Sequence, residues 1–183
     1  VAAKRADRRW IRDLLRDGGL VKTIRFKDAK YVGDPINAVR IFNDKEVDEL
    51  MFLDISSTRS ADGPNFGLLS DIATEAFMPF GYGGGITSVD QIKRLYALGV
   101  EKVVINTAAA TNPALVEAAA SLAGSSSVVV SVDVRRHLLG KYSVCVGNGQ
   151  TDLRRDPATY AREMAQLGAG EILLNAIDRD GTQ

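Results

Sequence analysis

The sequence contains very few of the residues that build disulfide frameworks or metal sites. One cysteine, Cys145, and one histidine, His137, occur among its 183 residues. A single cysteine excludes an internal disulfide, and a single histidine argues against a histidine-rich metal site. We therefore expect no metal and no cofactor, and interpret both residues as structural. This residue usage is typical of a reducing, cytoplasmic compartment.

The sequence also lacks net charge and long apolar runs. Lys plus Arg and Asp plus Glu number 23 each, so the charge balance does not point to nucleic acid or to an acidic surface. No apolar run approaches the roughly 20 residues that span a bilayer. The opening VAAKRADRRW has no apolar signal region. We expect small molecules or proteins as partners, and neither nucleic acid nor a membrane.

The sequence does contain a regular alternation of apolar strands and amphipathic helices. Six predicted strands alternate with five predicted helices, and every connection is long enough for a crossover, which predicts a parallel sheet. Closed (β/α)8 TIM barrels need eight such units and about 250 residues. We therefore predict an α/β fold in which residues 1–183 form a single, incomplete TIM-barrel domain, with about six βα units and without the last two.

Two segments interrupt this repeat. The first predicted strand, Ile11 to Arg16, is poor because Arg12 and Asp13 stand where a barrel strand should be apolar. Residues 27–31 are then predicted as a polar loop. Beyond the fifth strand, residues 141–146 alternate as a strand does and precede Gly147-Asn148-Gly149, a pattern that predicts a hairpin.

The stretch Val128 to Arg136, VVVSVDVRR, predicts a buried parallel strand that carries a carboxylate near its end. TIM barrels keep their chemistry at the carboxyl ends of the strands. Asp133 is therefore a candidate catalytic residue. The alternative is an aspartate that caps the following loop or pairs with Arg135 or Arg136.

Three consecutive glycines, Gly83-Gly84-Gly85, follow the third predicted strand. Without side chains, the backbone can approach a ligand closely and direct its N–H groups at it, as phosphate binding requires. A simple tight turn explains the same residues equally well.

The two halves of the chain repeat each other. DELMFLDI at residues 48–55 matches GEILLNAID at residues 170–178, which places Glu49 and Glu171 122 residues apart. Carried back from Asp133, this offset falls on Ile11, within three residues of Asp13 and Leu14. A duplicated barrel should have two facing carboxylates at its mouth, suited to a general acid and a general base.

A series of short motifs follows the order of a known family: GLVK, GDP, LDI, GGGI, INTAA, VSVD, GAGEILL and IDRDGT. With them the sequence resembles the cyclase subunit of imidazole glycerol phosphate synthase over nearly its whole length. The resemblance implies an eight-stranded barrel that takes ammonia from a glutaminase subunit. It also implies conversion of a phosphoribulosyl aminoimidazole-carboxamide nucleotide to imidazole glycerol phosphate and an aminoimidazole-carboxamide ribonucleotide, in histidine biosynthesis.

The resemblance also implies roles at the barrel mouth. Asp133 matches one catalytic aspartate of the family, whereas the other falls on Leu14. Lys22 matches the lysine of a mobile first loop that helps to cover substrate. The positions expected to bind phosphate or substrate are Gly84, Gly85, Asn106, Thr107, Asp180 and Gly181.

At the opposite end of the barrel the resemblance implies an ammonia entrance. A ring of four charges surrounds that entrance in the family, and the matching residues are Arg8, Glu49, Lys102 and Glu171. The alternative is a ring of salt bridges that merely plugs the bottom of the barrel.

Because Leu14 stands where the family has its second catalytic aspartate, several functions are compatible with the sequence. Asp13 points to the opposite face of a regular strand and can replace the missing carboxylate only if the backbone bulges. A paralogous branch of the family, associated with amidation of surface sugars, supplies ammonia without ring closure. A third possibility is the sugar-nucleotide isomerase of the same pathway, which needs no ammonia, so the charge ring argues against it. A fourth possibility is a non-functional fragment, because the last two strands of the barrel are missing.

Overall fold

The computed structural model of the chain describes residues 10–56 and 63–182. Within them, one curled sheet is packed against helices. Arg8 of the expected charge ring lies outside the described residues. Among the helices of the described ranges, none is both long enough and apolar enough to cross a bilayer.

Ten strands form the sheet in the described residues, and they serve two purposes. Six run parallel and alternate with helices, as the strands of a barrel do, whereas the other four form antiparallel hairpins. The strands are β1 (Trp10–Arg16), β2 (Gly19–Ile24), β3 (Lys27–Gly33), β4 (Glu49–Asp54), β5 (Phe80–Gly83), β6 (Lys102–Ile105), β7 (Val128–Arg136), β8 (Tyr142–Val146), β9 (Thr151–Asp152) and β10 (Glu171–Ala176).

The six parallel strands follow one another in the order β1, β4, β5, β6, β7 and β10. Pairing between β1 and β10 does not occur in the described ranges, so the barrel is open between these two strands. The predicted fold class, an incomplete TIM barrel, is confirmed.

The helices begin where capping residues predict. Asp34 and Asp156 each accept a hydrogen bond from a backbone N–H three residues on and precede a proline. Ser88 and Gln91 form a reciprocal capping box. The α-helices of the described residues are α1 (Pro35–Asp44), α2 (Phe66–Glu75), α3 (Val89–Ala97), α4 (Thr107–Thr111), α5 (Ala114–Ala123) and α6 (Pro157–Gln166).

The central parallel strands, β4 to β7, are largely apolar on both faces because both faces are covered. On β4, Leu50 and Phe52 belong to the large core shared with the helices, whereas Met51 packs with Val104 and Val129 in a separate cluster. Successive side chains point to opposite faces of a strand, so the second cluster lies inside the barrel. Near-continuous apolar runs such as Val128 to Val134 follow from this arrangement.

The predicted polar loop at residues 27–31 is wrong. These residues belong to β3, which pairs antiparallel with β2. Most residues of β3 are exposed, so no apolar alternation marks it in the sequence. The short helix α4 was also not predicted. The hairpin predicted for residues 141–146 with the Gly147-Asn148-Gly149 turn is confirmed, because β8 pairs antiparallel with β9 across that turn.

We expect Ser88→Ala to lower the free energy of unfolding by about 1 kcal/mol, because the backbone N–H of Gln91 loses its acceptor. Urea denaturation measures the change. Ser121→Ala, an exposed change inside α5, is the matched control and should stay within about 0.5 kcal/mol of the parent. Equal effects of the two substitutions would show that the capping box contributes nothing.

Candidate functional site

A cavity of about 860 Å³ opens at the carboxyl ends of the parallel strands. Each parallel strand contributes residues from its carboxyl-terminal half or just beyond it, as expected for the catalytic face of a TIM barrel. The wall includes Leu14 from β1, the glycines that follow β5, Asn106 after β6, Asp133 from β7 and Asn175 from β10.

Asp133 lies in this wall with only 5% of its surface exposed. Asn175 donates from Nδ2 to Oδ1 of Asp133 at 2.8 Å, and Asn106 donates from Nδ2 to Oδ2 at 3.2 Å. Burial raises the pKa of Asp133 to about 6, although these hydrogen bonds and the nearby Arg12 oppose the rise. A carboxyl group with this pKa can release or accept a proton near neutral pH.

The alternative role for Asp133, pairing with the adjacent arginines, is wrong. Arg135 donates to the carbonyl oxygen of Gly149, and the backbone N–H of Arg136 donates to Asp178 at 2.6 Å. The hydrogen bonds of Asp133 come instead from side chains on neighbouring strands. The carboxylate is thus held at the cavity wall.

The glycine turn lines the same cavity as Asp133. Gly84 and Gly85 have φ values of 136° and 63°, which disfavour other residues. A Cβ atom at Gly84 would also clash with the carbonyl oxygen of Asp54. The two interpretations of the glycines are therefore compatible, because a tight turn also exposes backbone to the cavity.

Asn106 and Thr107 lie where β6 passes into α4. Asn106 donates to the carbonyl oxygen of Ser131 at 2.9 Å as well as to Asp133. The hydroxyl of Thr107 accepts a hydrogen bond from the backbone N–H of Gly147 at 3.1 Å. The structure therefore places both predicted residues in the cavity wall, next to Asp133.

Asp180 and Gly181 hold the β2–β3 hairpin in place. Oδ2 of Asp180 accepts hydrogen bonds from the Thr23 hydroxyl at 2.6 Å and from the Phe26 N–H at 3.0 Å. A Cβ atom at Gly181 would clash with the Thr23 carbonyl oxygen. Asp180 lines the cavity, but its carboxylate already has donors. These contacts give the two residues a structural role in addition to the binding role predicted for them.

Lys22 does not lie with the other predicted residues. It belongs to β2 rather than to a loop, its side chain is exposed, and it is absent from the described cavity wall. The register of the hairpin places it beside Asp13 on the opposite face of the sheet from Leu14. The β2–β3 hairpin is the connection between β1 and α1, so the predicted role of Lys22 in covering substrate stays a prediction.

Position 14 faces the cavity, and Asp13 does not replace the missing carboxylate. The register between β1 and β4 runs without a bulge from Trp10 to Leu15, so Asp13 and Leu14 point to opposite faces. Burial raises the pKa of Asp13, against a lowering effect of Lys22. Within the described residues, Oδ2 of Asp13 is buried without a hydrogen-bond donor.

Three of the four residues of the expected charge ring come together at the amino ends of the strands. Nζ of Lys102 lies 2.7 Å from Oε1 of Glu49 and 2.7 Å from Oε1 of Glu171. Burial alone would lower the pKa of Lys102, but the hydrogen bonds to Glu171 and Glu49 outweigh it and raise that pKa. Lys102 therefore stays positively charged at neutral pH.

Two residues of the mouth, Arg12 and Asn175, are not among the predicted site residues. Asn175 pairs directly with Asp133 across β10 and β7. Arg12 donates to the side-chain oxygen of Asn175. The signal for Asn175 was its position four residues after Glu171, at the end of a buried strand. For Arg12 the only signal in the sequence is a charged residue within an otherwise apolar strand.

The sheet order, with a polar cavity at one end of the strands and a charged cluster at the other, defines an incomplete barrel of the TIM class. A model of the family described as histidine biosynthesis protein matches residues 13–183. The chain therefore belongs to the histidine biosynthesis protein family, and the resemblance carried by the motifs is confirmed.

The names of curated relatives are consistent with this family. A Pseudomonas aeruginosa protein, provisionally named imidazole glycerol phosphate synthase subunit hisF2, is 52% identical over 93% of this chain and 68% of its own length. A Leptospira borgpetersenii protein with the provisional name of subunit HisF is 48% identical over 92% of this chain and 67% of its own length. The imidazole glycerol phosphate synthase subunit HisF of Streptococcus mutans is 38% identical over 92% of this chain and 67% of its own length. The chain thus spans about two thirds of the length of these relatives.

We expect the stability of the protein to depend on the ionisation of Asp133. Its pKa of about 6 lies above the ordinary value of 3.8, so the folded chain binds the proton more tightly than the unfolded chain. Stability therefore falls as the pH rises through the range between these values and does not fall further above it. The free energy of unfolding of Asp133→Asn, measured relative to the parent, should therefore be about 2 to 3 kcal/mol more favourable at pH 8 than at pH 4.

Denaturant unfolding of both proteins at the two pH values measures this difference. Asp71→Asn, an exposed change in α2, controls for the simple loss of one negative charge. A constant difference between the parent and Asp133→Asn at pH 4 and pH 8 would contradict the raised pKa.

Proposed function

We propose that this chain is the synthase subunit of an enzyme of the imidazole glycerol phosphate synthase type, which receives ammonia from a glutaminase subunit. The observation that carries the proposal is the presence of two polar clusters at opposite ends of the same strands. Glu171 begins β10 and Asn175 lies four residues further on, about 13 Å along an extended strand. The ion cluster and the cavity thus share one barrel interior.

An apolar layer separates the two clusters. Met51, Val104 and Val129 form it, with Leu53 and Leu173 packed against them. Neutral ammonia is small and uncharged, whereas an ammonium ion would lose its hydration at a large cost in such a layer. This arrangement supports entry of neutral ammonia at Lys102 and its use at Asp133.

The cavity suits a phosphorylated nucleotide. Its volume of about 860 Å³ lies in the usual range of small-molecule sites. The glycine turn at Gly84 and Gly85 exposes backbone beside Thr107, which supports a phosphate at that wall. In the first candidate function, the ligand is the phosphoribulosyl aminoimidazole-carboxamide nucleotide, and Asp133 transfers protons during addition of ammonia and closure of the imidazole ring.

Leu14 favours a second candidate function. An apolar side chain occupies the cavity position where the family has its other catalytic aspartate, and Asp13 faces away. The provisionally named relatives are also more similar to this chain than the Streptococcus mutans subunit is. These observations support a barrel that delivers ammonia to a separate amidotransferase, for example for a surface sugar, without closing a ring itself.

Leu14→Asp separates the two candidates. If ring closure is limited by the missing carboxylate, the substitution should raise the rate by about 10²-fold to 10⁴-fold. The measurement is formation of imidazole glycerol phosphate from the nucleotide with ammonium salts. Asp13→Asn, on the other face of β1, is the control and should leave the rate unchanged. Rapid ring closure by the parent chain would reject the second candidate, whereas no closure by either chain would reject the first.

Lys102→Met tests the ammonia entrance. Both ion pairs of Lys102 are lost, so nitrogen from glutamine should reach the acceptor at least tenfold less often per glutamine hydrolysed. Ammonium salts added from outside should still support the reaction. Lys93→Met, which removes an exposed lysine paired with Asp90, is the matched control.

Glu171→Gln provides a second test, because this side chain is half exposed and its loss leaves Lys102 bound to Glu49. A partial loss of coupling is expected. Unchanged coupling in Lys102→Met and Glu171→Gln, with the fold intact by circular dichroism, would favour a salt-bridge plug over an entrance.

A further inference from the structure

We propose that Arg12 is a positioning residue, which fixes the side-chain amide of Asn175 and through it orients the carboxylate of Asp133. The kinetic consequence rests on the proposed function, but the structural claim does not. Arg12 is an unusual residue for its position, because it lies in β1 where a barrel strand is usually apolar. Its interior position explains why the fold tolerates it.

The amide of Asn175 is fully hydrogen-bonded in one orientation. Its Nδ2 donates to the Ser131 hydroxyl at 3.0 Å and to Oδ1 of Asp133 at 2.8 Å, while its oxygen accepts from Nη1 of Arg12. An amide has two donor hydrogens and one oxygen, so these contacts use both hydrogens and the oxygen. Asn175 is itself buried, with 8% of its surface exposed.

The opposite amide orientation is unfavourable because of Arg12. Rotation by 180° would turn the NH₂ group of Asn175 towards the guanidinium and its oxygen towards the carboxylate of Asp133. Two donors would then face each other, and so would two acceptors. Arg12 therefore selects the orientation in which Asp133 receives a hydrogen bond. Without Arg12, the oxygen of Asn175 would be a buried acceptor with no donor among the described residues, which is unfavourable.

The positive charge of Arg12 also favours the ionised form of Asp133. Burial raises the pKa of Asp133, and Arg12 is a nearby positive charge that lowers it. Among the described residues, Arg12 has no carboxylate in salt-bridge distance, and it lines the cavity. The other titratable group that faces Asp133 is the thiol of Cys145 on β8, whose pKa is raised chiefly by burial.

Carbon-13 NMR of the carboxyl group of Asp133, assigned by comparison with Asp133→Asn, tests the proposal without any substrate. Arg12→Met should raise the pKa of Asp133 by about one unit, since an opposite charge at close range shifts a pKa by one unit or more. Arg12→Lys keeps the positive charge, so the pKa of Asp133 in this variant should stay close to that of the parent protein. Arg40→Met, which breaks the surface ion pair with Glu75, is the control and should leave the pKa unchanged.

Arg12→Gln separates the effect of Arg12 on the orientation of the Asn175 amide from the effect of its charge. It also serves as a second variant if Arg12→Met does not fold. The glutamine side chain would keep a donor for Asn175 without the charge, so the side-chain NH₂ signals of Asn175 should remain as in the parent protein. In Arg12→Met these signals should broaden or move. An unchanged pKa of Asp133 and unchanged Asn175 signals in folded Arg12→Met would overturn the proposal.

The pH profile of nitrogen transfer then links the network to the reaction. In Arg12→Met the limb of the profile that reports Asp133 should move upward with the NMR value, and Arg12→Lys should move it back. If the NMR values shift but the chain transfers no nitrogen, the proposed function fails while the role of Arg12 stands.

Discussion

The register of the parallel strands is the constraint on which the site depends. Asp133 on β7 lies directly opposite Asn175 on β10, and the side chains of a strand alternate between its two faces. A slip of one residue would move Asp133 from the barrel interior into the helix layer and bring a valine to the cavity. The apolar residues on either side of Asp133 oppose that slip, because Val132 and Val134 are buried against the helices. The packing of the core thus sets the position of a charged group.

The same alternation builds three levels inside the barrel. Along β10, Glu171 lies at the charged end, Leu173 packs in the apolar layer and Asn175 reaches the cavity. The interior is therefore polar at its ends and apolar between them. Each polar level is stable because its members satisfy one another: Lys102 lies between two glutamates, and Asn175 lies between Arg12 and Asp133. A buried charge without such partners would cost several kcal/mol.

Strand β1 departs most from the other strands of the barrel. It presents Arg12 and Leu14 to the cavity in place of a carboxylate, and both departures lie on one face. A guanidinium at this wall changes the electrostatics of Asp133, and an apolar residue removes one carrier of protons. A family member with this strand keeps the ion cluster and the glycine turn but has a different balance of acid and base at its mouth. Family membership alone therefore does not define the reaction of this chain.

Local patterns in the sequence determined the order of the six parallel strands and of the longer helices, the caps at Asp34, Ser88 and Asp156, and the open TIM barrel, because side-chain periodicity and capping chemistry act over a few residues. They also marked Asp133 and the glycine turn, since both follow buried strands. The tertiary structure decided which of these groups meet. Lys22 points away from the cavity because of the register of the β2–β3 hairpin, whose second strand is mostly exposed and shows no apolar alternation. Arg12 belongs to the site because a contact across 163 residues joins it to Asn175, and no local pattern contains a contact of that range.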